Sequence, residues 1–142
     1  MAALTVGDPR LAEASLNLTH FDRQPLIMYA PEGARYFHDM LAELFEVEGI
    51  APIAIQSLSQ IHSMLALVRA GIGAALVPEA AQSLHFDDVH FRPVETDPAH
   101  PVELYAAWRT DNDNPALQPF LDLLRPTAEP EDMEALAASV FP

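Results

Sequence analysis

The amino-acid sequence predicts an α/β fold, an open and mainly parallel sheet flanked by helices. Two observations predict it. Short apolar runs of strand length alternate with longer amphipathic helical patterns, which is the order of right-handed crossovers between parallel strands. The segment 57–79, SLSQIHSMLALVRAGIGAALVPE, also contains a whole helix–turn–strand unit with its start and stop signals. With 142 residues the chain fits one domain that buries a modest core.

The first predicted strand is LIMY at residues 26–29, and a helix follows it. This helix is expected to end near Gly49, because glycine readily adopts the left-handed conformation that closes many helices. A second strand, residues 53–55, comes next. The apolar positions that recur at helical spacing in the first helix are Phe37, Met40, Leu41, Leu44 and Phe45.

The second helix is predicted from a capping box, in which the Ser57 hydroxyl and the Gln60 side chain bond the free N–H groups of a helix start. We therefore expect this helix to begin at Ser57 and to end at Gly71. Residues 73–77, closed by Pro78, form a short apolar run that suits a strand buried on both faces. The buried face of the helix is predicted to contain Ile61, Met64, Leu65 and Val68.

Beyond Pro78 a short helix through Ser83 and strands at 90–92 and 102–108 are predicted. Asn114 and Pro115 are predicted to begin a further helix. Pro119 is expected either to delay the start of this helix or to bend it. A linker and a C-terminal amphipathic helix follow, which would cover apolar surface, mediate self-association or dock on its own core. The apolar faces of these two helices are Leu117, Phe120, Leu121 and Leu124, and then Met133, Leu136, Ala137, Val140 and Phe141.

The composition argues against several classes of function. Seven arginines and no lysine face twenty-one acidic residues, for a formal charge of −14, so direct nucleic-acid binding by this chain is not expected. No apolar run approaches the roughly 18 residues of a membrane helix, and no secretory signal is visible. Without cysteine or lysine there is no thiol nucleophile, thiolate metal site or Schiff-base chemistry. We expect no enzyme activity, no cofactor and no membrane partner.

The densest group of potential metal ligands is His85, Asp87, Asp88 and His90. A solvated turn before a strand explains this group better than a metal site does, because spacing alone does not establish ligand geometry. No metal is therefore expected. An enzyme would need a histidine or carboxylate site, and a hydrolytic activity that depends on His85 or Asp87 would be the evidence for it.

Two loops form the candidate ligand site. Ligands of open α/β sheets collect outside the carboxyl ends of the strands, where free N–H groups and the helix dipole attract a carboxylate or similar anion. Arg35 would add a charge-assisted contact. In the alternative interpretation Arg35 lies in solvent, and Ser57 and Gln60 only cap a helix. The loops comprise Ala30, Pro31, Glu32, Gly33, Ala34, Arg35 and Tyr36, and then Gln56, Ser57, Leu58, Ser59 and Gln60.

The pattern LVRAGIGAALVP, placed after SLSQIHSMLA, resembles the effector-binding domain of LysR-type bacterial transcription regulators. The resemblance extends back through PLIMYAPEGARYFHDMLAELFEVEGIAPIAIQ and forward through HPVELYAAWRTDNDNPALQPFLDLLR, from about residue 25 to residue 125. It implies a periplasmic-binding-protein-like (type 2) subdomain, the second of the two that enclose the effector in that family. Residues 1–24 are then the crossover segment, 25–101 the second effector-binding subdomain, 102–125 the return strand and helix toward a mostly absent first subdomain, and 126–142 the linker and C-terminal helix.

The resemblance also implies a function, the sensing of a small anionic metabolite in the cleft between the subdomains. The parent regulator would be a cytoplasmic homo-oligomer whose DNA binding lies in a separate N-terminal domain. The alternative is a free-standing interaction or oligomerisation module that has lost effector sensing. The residues implied to contact the effector are Pro31, Glu32, Gly33, Ala34, Arg35, Tyr36, Ser57, Leu58, Gln60 and, on the return strand, Ala106.

Overall fold

The computed structural model describes residues 1–96, 102 and 105–124 of the chain. The chain divides into two compact units, Met1–Val102 and Glu103–Pro142. In the first unit the strands are β1 (Ala2–Thr5), β2 (Pro25–Tyr29), β3 (Ile53–Leu58), β4 (Ala74–Leu76) and β5 (Val89–Arg92). The α-helices of this unit are α1 (Arg35–Glu48) and α2 (Ile61–Arg69), and short 3-10 helices cover Pro9–Ala12, Leu18–Phe21 and Glu79–Leu84.

The five strands form one mixed sheet in the order β3-β2-β4-β1-β5. Strand β2 pairs in parallel with β3 and β4, whereas β1 pairs antiparallel with β4 and β5. Every strand except β1 therefore runs in the same direction, which confirms the predicted α/β class. The crossovers from β2 to β3 and from β3 to β4 run in opposite directions along the sheet, so right-handed connections place α1 and α2 on opposite faces.

Strand β1 was not predicted from the sequence. It inserts between β4 and β5, and its residues Ala2, Ala3 and Leu4 are fully buried. Four residues without flanking alternation carry too little periodic signal to be recognised as a strand. The segment interpreted as a crossover thus contributes an interior strand of the sheet.

Helix α2 begins later than predicted, and the predicted capping box is wrong. Ser57 belongs to β3, where it lies opposite Met28, and the helix starts at Ile61 without a side-chain cap from Gln60. The strand was predicted to end at residue 55, but its ladder with β2 continues to Leu58 and holds these residues extended. Long-range strand pairing therefore overrides the local helix-start pattern.

The predicted ends of both helices are confirmed. Gly49 and Gly71 have φ values of 65° and 74°, in the left-handed region. At the end of α2 the Gly71 N–H donates to the Val68 oxygen at 2.9 Å and the Ile72 N–H to the Leu67 oxygen at 3.1 Å. These two bonds form a Schellman motif, which satisfies the last carbonyl groups of the helix.

The core lies between the sheet and the helices. Met64, Leu65 and Val68 of α2 are fully buried, as predicted, and Ile61 packs at the edge of the same cluster. The 3-10 helix at Glu79–Leu84 matches the short helix predicted after Pro78. The other apolar residues of the core include Leu16, Leu18, Phe21, Leu26, Ile27, Leu41, Leu44, Phe45, Ala74, Ala75 and Leu76.

In the second unit the described helix is α3 (Leu117–Leu124). Pro119 is its third residue, where its missing N–H would have had no partner within the helix. The strand predicted at 102–108 is wrong for residues 102 and 105–108, which form no strand, and residues 103–104 lie outside the described part. The predicted C-terminal helix also lies outside it. Of the helices described, none is both long and apolar enough to cross a membrane.

The Arg92 side chain connects β5 to the end of the first 3-10 helix and to the residues that follow it. Its Nη1 donates to the Leu11 oxygen at 2.8 Å, and its Nη2 donates to the oxygens of Glu13 at 2.8 Å and Ala14 at 3.4 Å. We expect Arg92→Ala to lower the free energy of unfolding by about 1–2 kcal/mol, because these carbonyl groups lose a charged donor. Urea unfolding measures this change. Arg69→Ala, at an exposed position, is the matched control with an expected change below about 0.5 kcal/mol, and equal losses in the two variants would contradict the account.

Candidate ligand-binding site

The two predicted loops lie side by side at the carboxyl edge of the sheet. The Ala30 N–H donates to the Leu58 oxygen at 2.9 Å, so the pairing of β2 with β3 continues into the first loop. Gly33 has a φ of +90°, and a Cβ atom placed on it would lie 3.2 Å from the Ser59 Cβ. Only a residue without a side chain fits this approach easily. The fold therefore brings the segment 30–36 against the segment 56–60.

Both helices that follow these loops begin without a side-chain cap. Ala34 precedes α1 and has no group that could cap it, and Gln60 precedes α2 without a capping hydrogen bond. Neither helix has an acidic residue in its first turn. No carboxylate of either first turn therefore compensates their positive dipole ends, which favours an anion at this edge.

The charged side chains of the first loop are open to solvent. Arg35 is exposed and forms no ion pair within the described ranges, and Glu32 is exposed as well. Pro31 and Tyr36 are also exposed, whereas Ala34 and Leu58 are half-buried. The arrangement is an open surface with one guanidinium group available to a ligand.

Aromatic side chains lie directly behind the first loop. The rings of Tyr29 and Phe37 stack with centroids 5.0 Å apart, and Tyr36 meets Phe37 edge-on at 5.3 Å. The Tyr29 hydroxyl is buried and has no hydrogen-bond partner among the described residues, and burial raises the pKa of this phenol to about 12. Tyr29 therefore remains a protonated donor at ordinary pH. The sequence pattern predicts Tyr29 as a strand residue only. Its hydroxyl group, at the last position of the strand, is the feature of the sequence that points to this edge of the sheet.

The structure brings together the predicted site residues of the two loops, but it does not place Ala106 with them. The two loops come together within the first unit, with Ser57 and Leu58 as the last residues of β3 and Ser59 and Gln60 beyond them. Ala106 belongs to the second unit, where it is exposed and outside regular structure. Its contact with an effector stays a prediction.

Two residues of the group at 85–90, His85 and Asp88, adopt left-handed backbone conformations in the turn before β5. His85 follows the 3-10 helix with a left-handed φ of 46°, and its Nδ1 bonds the backbone oxygen of Ser83. Asp88 also adopts a positive φ, of 61°. In the described part of the chain, no group of three or more histidine or acidic side chains is arranged to hold a metal ion.

Comparison with known proteins adds a family relationship to this geometry. Residues 1–129 match the model of the LysR substrate binding domain family. The HTH-type transcriptional regulator AlsR of Bacillus subtilis (strain 168) is 27% identical over 125 residues, which cover 85% of this chain and 40% of AlsR. The chain thus spans less than half the length of this relative.

Solved structures share the fold. The effector-binding domain of BenM with its effector benzoate is 24% identical with a TM-score of 0.56, over 66% of this chain and 43% of that one. Full-length CbnR in complex with its target DNA is 19% identical with a TM-score of 0.72, over 90% of this chain and 45% of CbnR. At these identities the likeness establishes a common architecture, that of periplasmic-binding-protein-like effector domains.

Proposed function

This chain belongs to the LysR substrate-binding domain family, and on that premise we propose that it binds a small carboxylate with an apolar body at the edge formed by residues 30–36 and 56–60. The close approach of Gly33 to Ser59 carries the proposal, because it brings two helix N-termini without caps to one place. The exposed Arg35 guanidinium supplies a cation, and Tyr36 and Phe37, the next two residues of α1, supply aromatic surface.

A carboxylate fits these groups better than a neutral or cationic ligand does. Its oxygens accept hydrogen bonds from backbone N–H groups at the helix starts and from arginine, and charge-assisted bonds of this kind are stronger than neutral ones. The benzoate bound to BenM combines a carboxylate with an aromatic ring. We propose the same class of ligand, a carboxylate with an apolar body, for this chain, and we do not propose benzoate itself.

The parent protein is proposed to be a transcriptional regulator, as AlsR is named. In this proposal residues 1–24 and 25–101 form the second effector-binding subdomain with its crossover, and residues 102–125 lead toward the first subdomain. The linker and helix predicted at residues 126–142 lie outside the described part of the chain. DNA binding and homo-oligomer formation would involve other parts of the regulator, and its compartment would be the cytoplasm. Catalysis is not part of this function.

The test is a thermal-shift titration with benzoate and hexanoate, each compared with its uncharged amide. A ligand that binds only the native state, present at ten times its Kd, stabilises the protein by about 1.4 kcal/mol. We expect at least one carboxylate to raise the Tm by about 3–5 °C while its amide has little effect.

Variants distinguish the proposed site from general salt effects. Arg35→Ala is expected to weaken the carboxylate response at least fivefold, since the charge-assisted contact is lost. Arg69→Ala removes another exposed arginine, at the far end of α2, and should leave the response intact. If the amides stabilise the protein as well as the acids do, or the two variants respond alike, the proposed site is wrong.

A further inference from the structure

Exposed apolar side chains lie along the amino edge of the sheet, at the opposite end of the strands from the carboxylate site. Strands β2, β3 and β4 begin at this edge, and β1 ends there because it runs antiparallel to β4. Val6, Ile53 and Ile72 are 55%, 53% and 49% exposed, and Pro25 is exposed as well. One exposed apolar residue is ordinary on a protein surface, whereas a contiguous patch indicates an interaction site.

Strand pairing makes these four residues neighbours. Pro25 lies opposite Ile53 in the ladder between β2 and β3. A Cβ atom on Gly73 would lie 3.2 Å from the Pro25 oxygen, and the preceding residue, Ile72, lines the same cavity as Pro25. The register of β1 with β4, continued beyond the paired residues, places Val6 opposite Ile72. At the usual spacing of strands they form an apolar row about 14 Å long. The order along this apolar row is Ile53, Pro25, Ile72 and Val6.

A guanidinium group lies at the β3 end of the apolar row. The Arg23 N–H donates to the Ala51 oxygen at 3.2 Å, which places Arg23 beside the segment that leads into β3. Its side chain is 86% exposed, and its ion pair with Asp22 is long, at 3.8 Å. The Asp22 carboxylate is already engaged, because its Oδ1 accepts from the Ala51 N–H at 2.9 Å. Arg23 can therefore pair with a carboxylate of another molecule.

Carboxylate groups lie at the other end of the apolar row. The Val6 N–H donates to the Asp88 backbone oxygen at 3.1 Å, so Asp87 and Asp88 lie next to the last residue of the row. Both aspartates are exposed, and neither forms an ion pair within the described ranges. The apolar row thus has a cation at one end and anions at the other.

A cavity of about 470 Å³ beside the middle of the apolar row is lined by further titratable side chains. Asp8 and Arg10 pair with each other at 2.6 Å and contribute no net charge. The lining also includes His20 and Glu13. Because histidine is ordinarily neutral at about pH 8, Glu13 carries the net charge of the lining at that pH. Glu13 is exposed, so its effect on a nearby molecule is largely screened at about 0.15 M salt.

We propose that a second copy of this chain binds the apolar row across a twofold axis at the centre of the row. Such an axis brings each end of one copy to the opposite end of the other. Ile53 then contacts the partner's Val6. Arg23 pairs with the partner's Asp87 and the partner's Asp88. A second copy fits this edge because the row is complementary to itself in both its apolar and its charged groups.

The length of the apolar row limits the strength of this dimer. A contact about 14 Å long buries less than the roughly 1,200 Å² of a stable interface. We therefore expect a weak dimer with a Kd on the order of 0.1 mM. The interface uses no residue of the carboxylate site and does not depend on the proposed function.

The test is a dilution series of the ¹⁵N-labelled full chain, from about ten times the expected Kd to about one fifth of it. Sedimentation equilibrium, at about pH 8 and about 0.15 M NaCl, gives the Kd itself. The amide resonances of Val6, Ile53 and Ile72 are expected to shift with protein concentration, and that of Gly33, at the opposite edge, is not. A monomer at every concentration, or concentration-dependent shifts confined to other surfaces, would overturn the proposal.

A substitution at the centre of the apolar row tests the apolar contact. Ile72→Asp is expected to raise the Kd of the dimer at least tenfold, because two added carboxylates would face each other where apolar groups had met. Ala42→Asp, at an exposed position of α1, adds the same charge away from the row and should leave the Kd unchanged. Equal Kd values for the two variants would refute the interface.

Substitution of the charged ends separates a specific contact from general repulsion. The chain has a formal charge of −14, so removal of two carboxylates should strengthen association if only the overall charge matters. We expect the opposite: Asp87→Asn together with Asp88→Asn raises the Kd at least threefold. Asparagine tolerates the φ of 61° at residue 88. A tighter dimer in this doubly substituted chain would contradict the proposal.

A double-mutant cycle then tests whether the two ends meet. Arg23→Gln alone is expected to raise the Kd at least threefold. Its combination with the substitutions at Asp87 and Asp88 should raise the Kd little further, because both changes break the same contact. Fully independent effects of the two changes would show that the opposite ends do not meet, and the twofold arrangement would be wrong.

Discussion

Gly33→Val is expected to abolish the stabilisation by carboxylates and to destabilise the chain by about 2–3 kcal/mol. A β-branched residue is strained at a φ of +90°, and its Cβ would lie 3.2 Å from the Ser59 Cβ. The two loops would have to separate to admit it. The thermal-shift titration with benzoate and hexanoate measures both effects.

Gly7→Val is the matched control for this experiment. Gly7 has a similar φ of +84°, but a Cβ atom there would meet nothing within 4 Å. Valine at this position therefore adds the backbone strain without crowding the loops, and the carboxylate response should survive. A full carboxylate response in Gly33→Val would show that the contact between the loops is not needed for binding.

Leu65→Ala is expected to lower the free energy of unfolding by about 2–5 kcal/mol. Leu65 is fully buried on the core face of α2, so its loss removes apolar contacts and leaves a cavity. Because α2 also presents the N-terminus that follows the second loop, weaker packing of this helix should reduce carboxylate binding as well. Urea unfolding gives the stability change directly.

Val47→Ala provides the comparison for the core substitution. Val47 lies in α1 and is 63% exposed. Its truncation should change the free energy of unfolding by less than about 0.5 kcal/mol, since little buried surface is lost and alanine favours the helix. A loss below about 1 kcal/mol in Leu65→Ala would mean that the buried face of α2 is assigned incorrectly.

Much of the fold was predictable because its signals are local. The helical spacing of Met64, Leu65 and Val68 and the glycines at positions 49 and 71 identify the two helices and their ends, and the structure confirms them. The start of α2 was not predictable, since whether Ser57 caps a helix or extends β3 depends on its pairing with Met28 of another strand. Strand β1 was not predictable either, because its insertion between β4 and β5 depends on pairing with strands that are distant in the sequence.

The candidate site was predictable in position but not in detail. The rule that ligands collect at the carboxyl ends of parallel strands selects both loops from the order of the elements alone. The approach of Gly33 to Ser59 and the buried hydroxyl of Tyr29 depend on three-dimensional packing, which one sequence does not reveal. The sequence likewise does not reveal that the Nη1 atom of Arg10 is buried without a hydrogen-bond partner among the described residues.

The central claim is that the loops at residues 30–36 and 56–60 together bind a carboxylate. A two-dimensional ¹H–¹⁵N NMR titration with the carboxylate that stabilises the protein most tests it directly. The account predicts saturable shifts at the amides of Gly33, Arg35, Ser59 and Ile61, with the amides of Arg10 and Ile72 unmoved. Shifts confined to residues outside the two loops, or no saturable shifts in them, would contradict it.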